Sequence, residues 1–71
     1  MPLNLGKLRL DLESVVQART GRRIRNLDIR LESQRVVLCG QAFSYYVKQL
    51  AQQGVREVLP DVELENAIEV S

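Results

Sequence analysis

Along residues 5–19 the apolar side chains Leu5, Leu8, Leu12, Val15 and Val16 recur every three or four positions, with Lys7, Arg9, Asp11, Glu13 and Gln17 between them. That spacing lines one side of a helix and turns the charges outward. Leu10 lies beside the stripe and widens the apolar face. Asn4 suits the N-cap, Gly21 after Thr20 suits a left-handed C-cap, and Arg19 stands where a cation favours the carbonyl end of the helix.

From Ile24 the period falls to two. Leu27, Ile29 and Leu31 alternate with Asp28, Arg30 and Glu32, and Val36 to Ala42 follows a break at Ser33-Gln34. A hairpin turning through Glu32–Arg35 pairs Leu31 with Val36, Ile29 with Leu38 and Leu27 with Gly40, which gathers the larger aliphatics on one face. Gly40 then leaves room for a helix or bends the strand. The opposite face carries Asp28, Arg30, Val37, Cys39 and Gln41, so Cys39 sits on the less buried side, as an inert thiol.

Ser44 reads as the N-cap of a second helix with Val47, Leu50, Ala51, Gly54, Val55 and Val58 on its apolar face. Gly54 lets that helix approach the sheet or helix 1 closely, and Pro60 forces the exit at Leu59. In the last segment Val62, Leu64, Ile68 and Val70 face one way and Glu63, Glu65, Ala67 and Glu69 the other, with Asn66 interrupting the apolar side. The order helix, strand, strand, helix, strand predicts one α+β domain over residues 1–71. It is a two-layer sandwich in which a three-stranded sheet carries two helices on one face. The third strand is left beside either the first or the second.

The composition narrows the chemistry. With 71 residues there is room for one small core, and 45% hydrophobic with 27% charged is an ordinary globular balance. There is no His and one Cys, which removes the commonest general base, an internal disulfide and a structural zinc site. No phosphate loop, nucleophile elbow or metal motif is present, so the expectation is a protein that is not an enzyme and takes no cofactor. Residues 1–12 interleave Lys7, Arg9 and Asp11 with leucines, unlike a secretory signal, and nothing approaches the ~18 consecutive apolar residues of a membrane span. As it stands the chain is expected in the cytoplasm, and in the cell envelope if it is a piece of a longer protein.

The net charge of +1 conceals an uneven distribution. Residues 19–35 sum to +4 and residues 57–71 to −5. Arg19, Arg22, Arg23 and Arg25 cluster at the turn from helix 1 to strand 1, where they suit phosphate or carboxylate contacts; alternatively they satisfy helix-end carbonyls in solvent. Phe43, Tyr45 and Tyr46 are every aromatic residue of the chain, placed to act as an interfacial anchor or to close one end of the core. Antiparallel pairing of the first two strands brings both clusters to one end of the sheet. The outer sheet face, with Val37, Cys39 and Ala67 among the acids, suits contact with another domain or with a second copy, whose basic turn the acidic last strand would meet.

The run from Val36 to Ser44, Val-Val-Leu-Cys-Gly-Gln-Ala-Phe-Ser, resembles the signature of the BON domain, and Asn66-Ala-Ile-Glu-Val70 is similar to that family's closing strand. Lys48, Ala51, Gly54-Val55 and Val58 resemble its second helix, so the likeness spans about Leu8 to Val70. Where the family carries a Gly-Val pair before the last strand, this chain has Leu59-Pro60-Asp61-Val62. The resemblance implies an αββαβ fold and a bacterial binding module associated with phospholipid or with protein assembly. A small RNA-binding domain using the Arg-rich turn is the alternative, although Gly21-Arg-Arg-Ile lacks the second glycine of a GxxG clamp.

Overall fold

Helix α1 spans Leu5–Thr20 in the computed structural model, which describes residues 5–71, so the Asn4 cap lies outside the described residues. Leu12, Val16 and Thr20 are buried, one per turn, and the Thr20 hydroxyl donates to the Val16 carbonyl at 2.8 Å. Leu10 does not widen the apolar face: two residues before Leu12 it points about 200° away around the helix and is 66% exposed. Leu5, in the first turn, is also exposed. The helix ends in paired bonds, Gly21 N–H to Ala18 O and Arg22 N–H to Gln17 O at 3.4 and 2.9 Å, which absorb two of the terminal carbonyls. The C-terminal turn holds Arg22 at φ +58°.

Strands β1 (Ile24–Glu32) and β2 (Arg35–Ala42) pair antiparallel, with Leu31 opposite Val36 and Ile29 opposite Leu38 as their alternation predicts. The expected partnership of Leu27 with Gly40 is replaced by a bulge. Ile24 and Arg25 face Ala42 and Gln41, Asp28 faces Cys39, and Asn26 and Leu27 together oppose Gly40. Asn26 adopts φ +55°, a conformation its short polar side chain tolerates. The bulge, rather than a helix, occupies the space above Gly40. A Cβ there would stand 2.9 Å from both the Arg25 carbonyl oxygen and Ile24 Cγ2.

Helix α2 (Tyr45–Val58) begins at Ser44, whose side chain accepts from Val47 N–H at 3.2 Å, and closes with Leu59 N–H on the Val55 carbonyl at 2.8 Å. Ser44→Ala should lower stability by about 1 kcal/mol, the usual value of such a cap, read as a shift of the urea midpoint at unchanged slope. Val47, Ala51, Gly54 and Val55 are buried. Gly54 faces helix α1 and not the sheet: a Cβ would lie 3.3 Å from Val15 Cγ1.

Strand β3 (Glu63–Val70) runs parallel to β2 on the side away from β1, giving the order β1-β2-β3. The helix-length connection through α2 is what parallel neighbours require. The inward residues Ile29, Val36, Leu38 and Ile68 meet Leu12 and Val16 of α1 and Val47, Ala51 and Val55 of α2 in one core. The protein is therefore an α+β sandwich with both helices on one face of a mixed sheet. Asn66, which breaks the apolar alternation, donates from Nδ2 to the Lys48 carbonyl at 2.9 Å and so ties β3 to α2.

Candidate functional site

The pairing of Ile24 with Ala42 and Arg25 with Gln41 places the α1–β1 and β2–α2 junctions at the same end of the sheet. The Arg25 guanidinium lies over the Phe43 ring, 5.3 Å from its centroid, within the range of a cation–π contact. Phe43, Tyr45 and Tyr46 are 68%, 62% and 63% exposed. They do not close the core, because Ala42 and Val47 already seal it there. Tyr45 lies along the outward side of α2 with Gln49, Gln53 and Arg56.

The four arginines have four different surroundings. Arg19 is ion-paired with Glu57 of α2, which neutralises it. Arg23 donates from Nε to the Thr20 carbonyl at 2.7 Å, completing the helix end. Arg25 rests on Phe43. Arg22 makes no side-chain hydrogen bond or ion pair among the described residues. It shares a shallow depression between α1 and β1 with Leu10, Gln17, Asn26 and Leu27, and there Gln17 Oε1 is buried without a donor. Leu10 thus belongs to this surface, which the spacing of leucines along α1 concealed.

Parallel pairing of β2 and β3 brings the end of β3 to the same end. Val70 pairs with Ala42 and is 45% exposed, and Glu69 pairs with Gln41, the partner of Arg25. Two strand spacings, about 10 Å, separate the backbones of Arg25 and Glu69. The basic and acidic segments of the chain are therefore not confined to opposite ends.

The outer sheet face is less apolar than its sequence suggested. Val37 is 8% exposed: it lies in register between Arg30 and Glu65, and long charged side chains cover apolar neighbours with their stems. Arg35 is ion-paired with Glu65 and Arg30 with Asp28. Cys39 is half-buried and Ala67 is exposed. Among the described residues no group of three or more His, Cys, Asp or Glu side chains stands together as a metal site, and no helix is long and apolar enough to cross a membrane. No family model, curated protein or solved structure matches the chain.

Proposed function

We propose that this chain is a non-enzymatic attachment module whose Arg22–Arg25 end docks on an anionic phospholipid surface. The observation that carries the reading is the exposed Phe43 ring lying under the Arg25 guanidinium, on the end where Arg22 has no partner among the described residues. Phosphate groups would meet Arg22 and Arg25, while Phe43 and Leu10 supply apolar area at headgroup depth. The likeness of residues 36–44 and 66–70 to the BON domain supports the same reading. Each basic side chain near a charged leaflet is worth about 1 kcal/mol, and salt screens it within roughly 10 Å.

Sedimentation with vesicles tests this. Recovery with phosphatidylglycerol–phosphatidylcholine mixtures should exceed recovery with phosphatidylcholine alone and decline with added salt. Arg22→Glu, which both removes an attraction and adds a repulsion, should weaken it by roughly tenfold or more, and Phe43→Ala should weaken it without changing the salt slope. Equal recovery with both vesicle types would end the lipid reading. Salt-sensitive retardation of single-stranded RNA without vesicle binding would favour the nucleic-acid alternative, although the outer sheet face presents Glu63, Glu65 and Glu69 in place of stacking aromatics.

A further inference from the structure

The two free edges of the sheet differ. The β1 edge is interrupted by the Asn26–Leu27 bulge, and Arg9 of the helix layer is ion-paired at 3.2 Å with Asp28, whose partner in register is Cys39 on the outer face. That pair passes round the edge, and both features obstruct an incoming strand. Strand β3 has neither device. It is regular for eight residues, and its far side has no strand neighbour among the described residues.

The direction of its free groups follows from one bond. Ser71, which continues the strand, donates its N–H to the Ala42 carbonyl of β2 at 3.0 Å. By alternation the amides of Glu63, Glu65, Ala67 and Glu69 turn to β2, and those of Leu64, Asn66, Ile68 and Val70 turn to the open edge. Among the described residues only a long contact within the strand, Ile68 N–H to Asn66 Oδ1 at 3.3 Å, engages one of them. The side chains flanking the edge alternate too. Glu63, Glu65 and Glu69 lie on the outer face, and Leu64, Ile68 and the half-exposed Val70 on the helix side. Glu63 and Glu69 have no ion-pair partner among the described residues.

We infer that β3 accepts an added strand from another protein: an extended segment with Lys or Arg at every second position and aliphatic residues between. Main-chain bonds to Leu64, Asn66, Ile68 and Val70 would supply affinity, and the acids would select for the basic face. A second copy offering its own β3 is disfavoured, because that pairing sets acids against acids. Glu69 and Val70 reach the same end of the sheet as Arg25, but this surface is the main chain of the opposite edge, two strands from Arg25, so either assignment can fail alone.

The probe is a capped, alternating Arg-Val peptide, added to the labelled full chain and followed by amide exchange and backbone chemical shifts. Saturable binding should slow exchange at Leu64, Asn66 and Val70 by tenfold or more, and Glu63→Lys with Glu69→Lys should weaken it at least tenfold while the spectrum stays folded. A fully N-methylated peptide of equal charge should leave those amides unprotected. Equal binding of the N-methylated peptide would reduce the effect to charge attraction and overturn the inference. So would shifts confined to another surface, or protection of β3 that grows with the protein's own concentration in the absence of peptide, which would make the occupant a second copy.

Discussion

Gly40→Ala is expected to remove a large part of the protein's stability. Gly40 adopts φ +146° in the central strand, a conformation L side chains rarely adopt, and an added Cβ would stand 2.9 Å from the Arg25 carbonyl oxygen. The obstructing atom is backbone, held by the bulge, so it cannot swing aside as a side chain does. Backbone strain of about 1–3 kcal/mol and overpacking of similar size together remove about 2–6 kcal/mol. A domain of this length has roughly 4–10 kcal/mol in total. Urea titration followed by far-ultraviolet circular dichroism would measure the loss. Gly54→Ala is the matched control: its Cβ would meet Val15 Cγ1 and Arg19 Cγ at 3.3 and 3.4 Å, which are side-chain atoms able to give way. The helix propensity gained, about 1 kcal/mol, offsets that crowding, so Gly54→Ala should stay within about 1 kcal/mol of the parent. A midpoint for Gly40→Ala equal to that of Gly54→Ala would show that the bulge does not pack against β2 as described.

Leu38→Ala should cost about 3–4 kcal/mol. Leu38 is fully buried on the central strand, between Ile29 and Asn66 in register and within the core that both helices cover. Truncation loses the transfer energy of the removed carbons and leaves a cavity that two helices and three strands cannot all close around. Leu10→Ala, the same chemical change at a residue 66% exposed, should alter stability by no more than about 0.5 kcal/mol. Denaturant midpoints for the pair separate the two leucines. A loss under about 1 kcal/mol for Leu38→Ala would place the core elsewhere.

Much of this architecture is legible from local signals. The switch from a period near 3.6 to a period of two at Ile24 marks the end of α1, and Ser44 and Pro60 bracket α2 because a cap and a φ-locked ring act within a few residues of themselves. The hairpin register at Leu31–Val36 and Ile29–Leu38 follows from alternation, since a slip of one residue would turn every aliphatic outward. The convergence of Arg25 and Phe43 follows from antiparallel pairing alone. Other features depend on packing between distant segments. Alternation across β1 carries no mark of an extra residue, so the bulge at Asn26–Leu27 and its hold on Gly40 emerge only when β1 lies against β2. Exposure of the aromatics was equally hidden, because whether Phe43 closes the core depends on whether Ala42 and Val47 have already done so.

What the residues specify in order along the chain is therefore the identity of the five elements, the inward faces of the strands and the basic and acidic segments. Each is set by spacing, capping and charge, which act over a few positions. What required the folded chain is the place of β3 beside β2, which leaves one regular acidic edge open and brings Glu69 into the row of Arg25. It also required the sorting of four arginines into an ion pair with Glu57, a helix-end donor, a ring contact and one unpaired guanidinium. The physical reason is the same in each case: the partners are supplied by segments far away in sequence, and no local preference encodes which of them arrives.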